Sequence, residues 1–190
     1  MVDTATRRVP TVPAAEWLKD LPPAARFAFY GDAAARAALL PVWGAAFSEQ
    51  ACRANAHATR ATLWLGPDEY LLLDLAPGEP EAATLSALER PLVAIPHALV
   101  DVSHRQFALQ VSGLQAATIL SGACPLDFDL SEFPVGMCTR TVFAKADIVL
   151  WRTQERAFHL EVWRSFAGYV TGILREIAAE FYPASRGTRN

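Results

Sequence analysis

The hydrophobic and polar positions of this chain predict two successive series of strands and helices. In the first series, the alternation over residues 26–30 is typical of a half-buried strand, and Asp32 then provides a suitable N-cap for an Ala- and Leu-rich helix. Gly-Pro-Asp-Glu at 66–69 has the composition of a turn between two strands. The predicted elements are strands at 26–30, 61–65 and 70–74 and helices at 33–43 and 79–88.

The second series repeats this order. Its last helix has the clearest pattern, because apolar residues recur at spacings of three and four and therefore share one helical face. The predicted elements are strands at 106–111, 139–143, 147–151 and 158–162 and helices at 114–120 and 166–181. When the two series are aligned, Phe27 corresponds to Phe107 and Trp64 to Trp151.

This duplication predicts an α+β fold built from two β-α-β-β-α repeats. One such repeat exposes an apolar sheet face and cannot be stable alone, whereas two repeats can bury that face together. We expect a single domain with pseudo-twofold symmetry over residues 26–182, with halves at 26–90 and 101–182. Residues 1–25 are predicted to form an N-terminal arm outside the core, and residues 183–190 a polar tail.

Composition and charge narrow the class of protein. Of the 190 residues, 52% are hydrophobic and 19% are charged, so the chain can bury a large core, and its charge-poor surface suits contact with a partner. The net charge of −3 and the scattered arginines disfavour nucleic-acid binding, and no polybasic or long apolar run indicates a membrane. Three cysteines without CxxC spacing favour free thiols in the cytoplasm over disulfides or a metal site.

The segment Asp101-Val-Ser-His-Arg105 places several chemically useful side chains just before a strand. Such a group could perform acid–base chemistry, or Arg105 could hold a carboxylate ligand. The alternative is structural: Asp101 or Ser103 caps a turn and Arg105 pairs with an acid. Spacing favours the structural alternative, because alternate residues on a strand face opposite ways and cannot all line one pocket.

The loop Phe133-Pro-Val-Gly-Met-Cys-Thr-Arg140 contains a candidate reactive thiol. Arg140 could lower the pKa of Cys138 and so activate it as a nucleophile, although a catalytic cysteine also needs a histidine base. A buried structural cysteine is the favoured interpretation.

Two further segments, 64–70 and 161–166, combine aromatic residues with acids or arginine. This composition is typical of protein interfaces and equally of a core with a polar rim, so both interpretations stay open. The interface candidates are Trp64, Asp68, Glu69, Tyr70, Trp163 and Arg164.

The sequence lacks the motifs of an independent enzyme. It contains no dinucleotide-binding GxGxxG after a strand, no P-loop, no GxSxG elbow and no metal-ligating His/Glu spacing. We therefore predict no catalytic residue and no metal site in this chain.

Several of these segments, taken in order, resemble the gamma subunit of heterotetrameric sarcosine oxidase. The resemblance extends over residues 26–181 and rests on six stretches, since any one of them alone is weakly specific. They are Trp64-Leu-Gly-Pro-Asp-Glu69, Asp101-Val-Ser-His-Arg-Gln106, Val111-Ser-Gly-Leu114, Cys124-Pro-Leu-Asp127, Phe133-Pro-Val-Gly-Met-Cys-Thr-Arg-Thr141 and Glu161-Val-Trp-Arg-Ser-Phe166.

The resemblance implies a subunit without its own cofactor or catalytic role. The family's complex oxidises sarcosine to glycine with oxygen, forms hydrogen peroxide, and releases the one-carbon unit as formaldehyde or 5,10-methylenetetrahydrofolate. FAD, FMN and NAD belong to the two larger subunits, and the tetrahydrofolate site to the largest. The implied partners are the alpha, beta and delta subunits.

The family is in turn similar to the folate-binding domain of glycine-cleavage T-protein, which implies the same fold. Asp101 stands where the T-protein has a carboxylate beside bound folate, so Asp101, Ser103 and Arg105 form a candidate vestigial folate-type site. However, residues 144–147, Ala-Lys-Ala-Asp, replace the acidic Gly-Gly-Ile-type segment expected after the loop. The alternatives are a stand-alone tetrahydrofolate-binding aminomethyltransferase-like protein and, least favoured, a folate-dependent iron–sulfur maintenance protein.

Overall fold

The computed structural model describes residues 17–76 and 78–182. Its strands are β1 (Leu18–Asp20), β2 (Ala25–Gly31), β3 (Ala54–His57), β4 (Arg60–Gly66), β5 (Glu69–Asp74), β6 (His97–Asp101), β7 (Gln106–Ser112), β8 (Cys138–Phe143), β9 (Ala146–Gln154) and β10 (Ala157–Trp163). Its helices are α1 (Ala33–Trp43), α2 (Glu81–Glu89), α3 (Ala116–Ser121) and α4 (Ala167–Ala178), with 3₁₀ turns at Arg90–Leu92 and Arg164–Phe166.

The strands form two antiparallel five-stranded sheets. The first sheet has the order β3-β4-β5-β2-β6, and the second sheet has the order β1-β7-β10-β9-β8. Side chains alternate across each sheet, so each has an outer face covered by helices and an inner face that packs against the other sheet. The fold is the expected α+β duplication, and the inner faces create a layer shared by both halves.

The two halves exchange their first strands. β1 pairs with β7 in the second sheet, whereas β6, at the start of the second half, pairs with β2 in the first sheet. The residue after each exchanged strand makes an equivalent backbone hydrogen bond to the partner strand. Leu21 N–H donates to Ala108 O at 2.9 Å, and Val102 N–H donates to Arg26 O at 2.8 Å. This reciprocity gives the domain its pseudo-twofold symmetry and ties each half to the sheet of the other.

The boundaries of α1 follow directly from its sequence. Asp32 Oδ1 accepts a hydrogen bond from Ala35 N–H at 3.0 Å, as an N-cap should. At the other end, Gly44 adopts a φ of 86°, a left-handed conformation that glycine tolerates, and its N–H bonds to Leu40 O. The helix predicted over 33–43 is therefore confirmed at both ends.

The predicted arm over residues 1–25 extends too far. Trp17 is 5% exposed in the core of the second sheet, and β1 follows it at once. The pairing partner of β1 is almost a hundred residues away along the chain, so local pattern gave no sign of it. Residues 1–16 and the predicted tail 183–190 lie outside the described residues.

The predicted residue correspondence between the halves is also wrong. Gly31 N–H bonds to Asp68 O, and Gly113 N–H bonds to Arg156 O, both at 2.9 Å, so Gly31 and Gly113 are equivalent. Strand register then aligns Phe27 with Leu109 and Trp64 with Arg152. Trp151 lies on the opposite face from Trp64, because a shift of one residue reverses the side-chain direction in a strand.

Each half contains five strands, two more than the predicted β-α-β-β-α unit. β1, β3 and β6 were missed, since all three are short edge strands whose side chains are partly or fully exposed. None of the helices in the described ranges is long and apolar enough to cross a membrane.

Candidate functional site

A cleft of about 530 Å³, which we call the inter-sheet cleft, opens between the two sheets at one end of the domain. It lies where β2 and β10 end and where β5 and β9 begin. Its inner walls are mainly apolar, with Ala28 and Leu71 from the first sheet and Val149 from the second. Tyr30 and Trp163 stand at its rim and are 48% and 47% exposed.

A buried ionic cluster joins the two sheets beside this cleft. Arg26 Nε donates to Glu161 Oε2 at 2.7 Å, and His159 Nε2 lies 2.7 Å from Glu161 Oε1. All three residues are at most 5% exposed, and Glu161 also lines the cleft. Arg26 is in β2 and Glu161 is in β10, so the cluster connects the first half to the second. It is absent from the sequence-based site.

The charge of Glu161 is stabilised by its neighbours. Burial alone would raise the pKa of this carboxyl, but the hydrogen bond and charge of His159, together with those of Arg26, outweigh burial and hold the pKa below its ordinary value of 4.5. Glu161 is therefore an ionised carboxylate in the folded protein at neutral pH.

This lowered pKa predicts a specific acid sensitivity. A carboxyl whose pKa is lower in the folded than in the unfolded state stabilises the fold above its ordinary pKa, and that stabilisation is lost as pH falls through the lowered value. We expect the stability difference between wild type and Glu161→Gln to be full at neutral pH and to shrink below pH 4.5. Urea unfolding followed by tryptophan fluorescence across this range measures it. A difference that stays constant with pH would contradict the prediction.

A second polar cluster lies at the mouth of the cleft. Glu69 in β5 forms an ion pair with Arg140 in β8, and the Tyr30 side chain lies beside them. The neighbouring Glu69 carboxylate, with burial, raises the pKa of the Tyr30 hydroxyl. Burial would raise the pKa of Glu69, but Arg140 and Tyr30 lower it overall. The cluster is a second polar link between the halves.

The predicted Asp101, Ser103 and Arg105 group does not form one site. Asp101 Oδ1 accepts hydrogen bonds from Ser103 N–H at 2.8 Å and Ser103 Oγ at 2.6 Å, and Ser103 Oγ in turn accepts from Arg26 N–H at 2.9 Å. Of the three, only Arg105 lines the inter-sheet cleft. The turn-capping arrangement considered for Asp101 and Ser103 is the one present.

Arg105 does not pair with an acid as that structural alternative expected. Its guanidinium lies 5.6 Å from the centre of the Trp163 ring, a cation–π geometry, and it forms no ion pair within residues 17–76 and 78–182. The rim of the cleft therefore presents a positive charge held against an aromatic face.

The model of the "Sarcosine oxidase, gamma subunit family" matches residues 30–180. The chain belongs to this family. The resemblance drawn from the sequence is thereby confirmed over almost the same stretch of residues.

Individual relatives of this gamma-subunit-family chain agree with the assignment. Curated "Sarcosine oxidase subunit gamma" proteins from Corynebacterium sp. (strain U-96) and Arthrobacter sp. are 35% identical over 124 residues and 33% identical over 129 residues. These matches cover 65% and 67% of this chain but only 58% and 61% of the relatives. The matched region thus spans about three fifths of the length of these relatives.

Solved structures show the same fold. A chain of "Heterotetrameric Sarcosine Oxidase from Corynebacterium sp. U-96 in complex with pyrrole 2-carboxylate" superposes with a TM-score of 0.80 at 27% identity, over 88% of this chain and 86% of that one. The glycine cleavage system aminomethyltransferase T from Bartonella henselae gives a TM-score of 0.62 at 16% identity, over 83% of this chain and 44% of that one. Because the second match is only 16% identical, it shows a shared T-protein-like fold and does not indicate a shared function.

The six interface candidates of the gamma-subunit-family chain differ in accessibility. Tyr70 is 2% exposed and its hydroxyl donates to Ser48 O at 2.7 Å, while Trp64 packs against the core of the first half. Asp68 is exposed and pairs with Arg36. Trp163 and Arg164 are exposed beside each other, and Arg164 Nε donates to His104 O at 3.2 Å. Their role in an interface stays a prediction.

One sequence pattern indicates part of the buried cluster of Arg26, His159 and Glu161, and the sequence interpretation missed it. His159 and Glu161 alternate with Phe158, Leu160 and Val162 in a strand. A histidine and an acid on one face of a strand whose other face is strongly apolar indicate a polar pair on the inner face of the sheet. The partner Arg26 could not be assigned to them, since it is 135 positions away.

Cys138 has the environment of a structural thiol. It is fully buried, its Sγ donates to Trp64 O at 3.5 Å, and burial raises its pKa to about 12. Arg140, the predicted activating cation, pairs with Glu69 instead. In the described part of the chain, no group of three or more His, Cys, Asp or Glu could hold a metal ion.

We expect Cys138 to resist thiol reagents in the native protein. Cys52 is partly exposed and serves as an internal control that should react first, whereas Cys138 should react only after denaturant is added. Iodoacetamide labelling followed by peptide mass spectrometry measures both sites. Rapid labelling of Cys138 in the native state would restore the reactive-thiol interpretation.

Proposed function

We propose that this chain is the small gamma subunit of a heterotetrameric sarcosine oxidase and has no catalytic residue of its own. The observation that carries the proposal is the family match over residues 30–180. In this proposal the complex oxidises sarcosine to glycine in the cytoplasm, with formation of hydrogen peroxide and of formaldehyde or 5,10-methylenetetrahydrofolate. FAD, FMN, NAD and tetrahydrofolate are bound by the larger subunits, and the partners are the alpha, beta and delta subunits.

The polar residues of the cleft support a structural role. Glu161 contacts Arg26 and His159, and Glu69 forms an ion pair with Arg140. Carboxylates held in ion pairs with lowered pKa values are poor proton acceptors, so these groups favour assembly of the two halves over acid–base chemistry. Asp68, Trp163 and Arg164 are the interface candidates that a partner subunit can reach in the described structure.

Co-expression with the larger subunits tests the proposal. A tag on this chain should co-purify them, the eluate should show flavin absorbance, and it should form hydrogen peroxide from sarcosine. Omitting the chain should reduce the yield or activity of the complex, because an obligate subunit stabilises its partners by mass action. Full assembly and activity without the chain, with the tagged chain eluting alone and colourless, would reject the proposal and favour the tetrahydrofolate-binding alternative.

Asp101 provides a test of the proposed absence of folate chemistry. Asp101→Ala should lower the free energy of unfolding by about 1–2 kcal/mol, because it removes the acceptor of two hydrogen bonds within the turn. Asp101→Asn keeps an acceptor oxygen at this position and should recover most of that loss. Sarcosine oxidation by the assembled complex should be unchanged in both variants. If Asn restored stability but one-carbon transfer to tetrahydrofolate still fell, the negative charge of Asp101 would have a chemical role.

A further inference from the structure

The inter-sheet cleft contains a cation that the described chain leaves without a counter-charge. Arg105 is exposed at the rim and is oriented by its contact with the Trp163 ring. The other arginine of the cleft, Arg140, is already paired with Glu69. A guanidinium held on an aromatic face, with its fork of donors unoccupied, is suited to bind a carboxylate or another small anion.

The cleft provides space for more than an isolated anion. Its volume of about 530 Å³ lies within the range of small-molecule sites, roughly 300–1,000 Å³. The walls are the inner faces of two sheets that pack face to face. The side chains of Leu71, Val102 and Val149 line it, and Tyr30 and Trp163 add aromatic surface at the rim. Such walls favour a flat, apolar molecular body.

The remaining charges restrict the ligand to a single negative group. Asp147 also lines the cleft and is exposed, and Glu161 reaches the inner wall as a carboxylate. A second anionic group placed away from Arg105 would approach one of these acids and be repelled. The site therefore discriminates against polyanions such as nucleotides.

We propose that the inter-sheet cleft binds a small planar aromatic molecule with one anionic group, the anion on Arg105 and the ring between the apolar walls. This proposal concerns the chain by itself and does not rest on its function as a sarcosine oxidase subunit. The occupied cleft contacts both halves of the domain, so binding also stabilises the folded chain.

Isothermal titration of the full chain with 2-naphthoate tests the proposal. We expect saturable binding of one molecule per chain, and affinity reduced about tenfold or more for the uncharged analogue 2-naphthamide. Arg105→Met should weaken 2-naphthoate binding by a similar factor. Arg156→Met is the matched control, since Arg156 is an exposed arginine at the opposite end of β10 and should leave the affinity unchanged.

A second variant removes the space instead of the charge. Ala28 lies on the wall of the cleft, so Ala28→Phe should fill the cleft and abolish binding. Thermal melting of each variant confirms that it is folded before titration. The proposal is overturned if wild type shows no saturable binding, or if folded Arg105→Met or Ala28→Phe binds 2-naphthoate as tightly as wild type does.

Discussion

Replacing Glu161 with glutamine is expected to lower the free energy of unfolding by about 3–5 kcal/mol. The carboxylate is the shared partner of Arg26 and His159, and the side chains of all three are at most 6% exposed. Glutamine preserves the shape but leaves the Arg26 guanidinium buried without a counter-charge, and an uncompensated buried charge is costly. Chemical denaturation at neutral pH, monitored by tryptophan fluorescence, measures the loss.

Two control variants separate the charge effect from packing. Glu155→Gln removes an exposed carboxylate that lies 3.8 Å from Arg156, and it should change stability by less than about 1 kcal/mol. The double variant Arg26→Met/Glu161→Leu removes the buried Arg26–Glu161 ion pair and should recover most of the loss, since an apolar pair can replace a buried ion pair. If the double variant were as unstable as Glu161→Gln, the shape of the cluster rather than its charge would stabilise the domain.

The elements that the sequence predicted well are those with a local signal. The strand at 26–30 alternates, α1 has a capping aspartate and a terminal glycine, and α4 carries an apolar face over Val170 and Leu174. β6 lacks such a signal, because His97–Asp101 is exposed at most positions and owes its conformation to pairing with β2. Local sequence pattern therefore predicts elements that their own periodicity or capping residues specify. It misses strands that form by pairing with a strand far away in the sequence.

The candidate site was less predictable for the same physical reason. Asp101, Ser103 and Arg105 are close in sequence, yet the turn directs only Arg105 into the inter-sheet cleft. The groups that meet beside that cleft, Arg26 and Glu161, come from different halves of the chain. Family resemblance could predict the fold, but the pairing of these two charges depends on how the sheets face each other.

Trp17 gives the sharpest test of whether the folded domain includes part of the predicted arm. Trp17→Ala is expected to lower the free energy of unfolding by about 3–5 kcal/mol, the usual cost of removing a large buried aromatic side chain. Trp17 packs in the core of the second sheet and stacks on Tyr182 with ring centres 5.9 Å apart. Its carbonyl also accepts a hydrogen bond from Ser112 N–H at 2.7 Å, at the end of β7.

This result would distinguish a folded domain that includes Trp17 and β1 from the arm predicted over 1–25. Trp163→Ala is the comparison variant, because that indole is 47% exposed and its removal should cost clearly less than that of Trp17. A loss below about 1 kcal/mol for Trp17→Ala would show that β1 adds little to the fold and would restore the arm. The expected larger loss follows from the strand exchange, since β1 and Trp17 begin the first half and yet complete the sheet and core of the second.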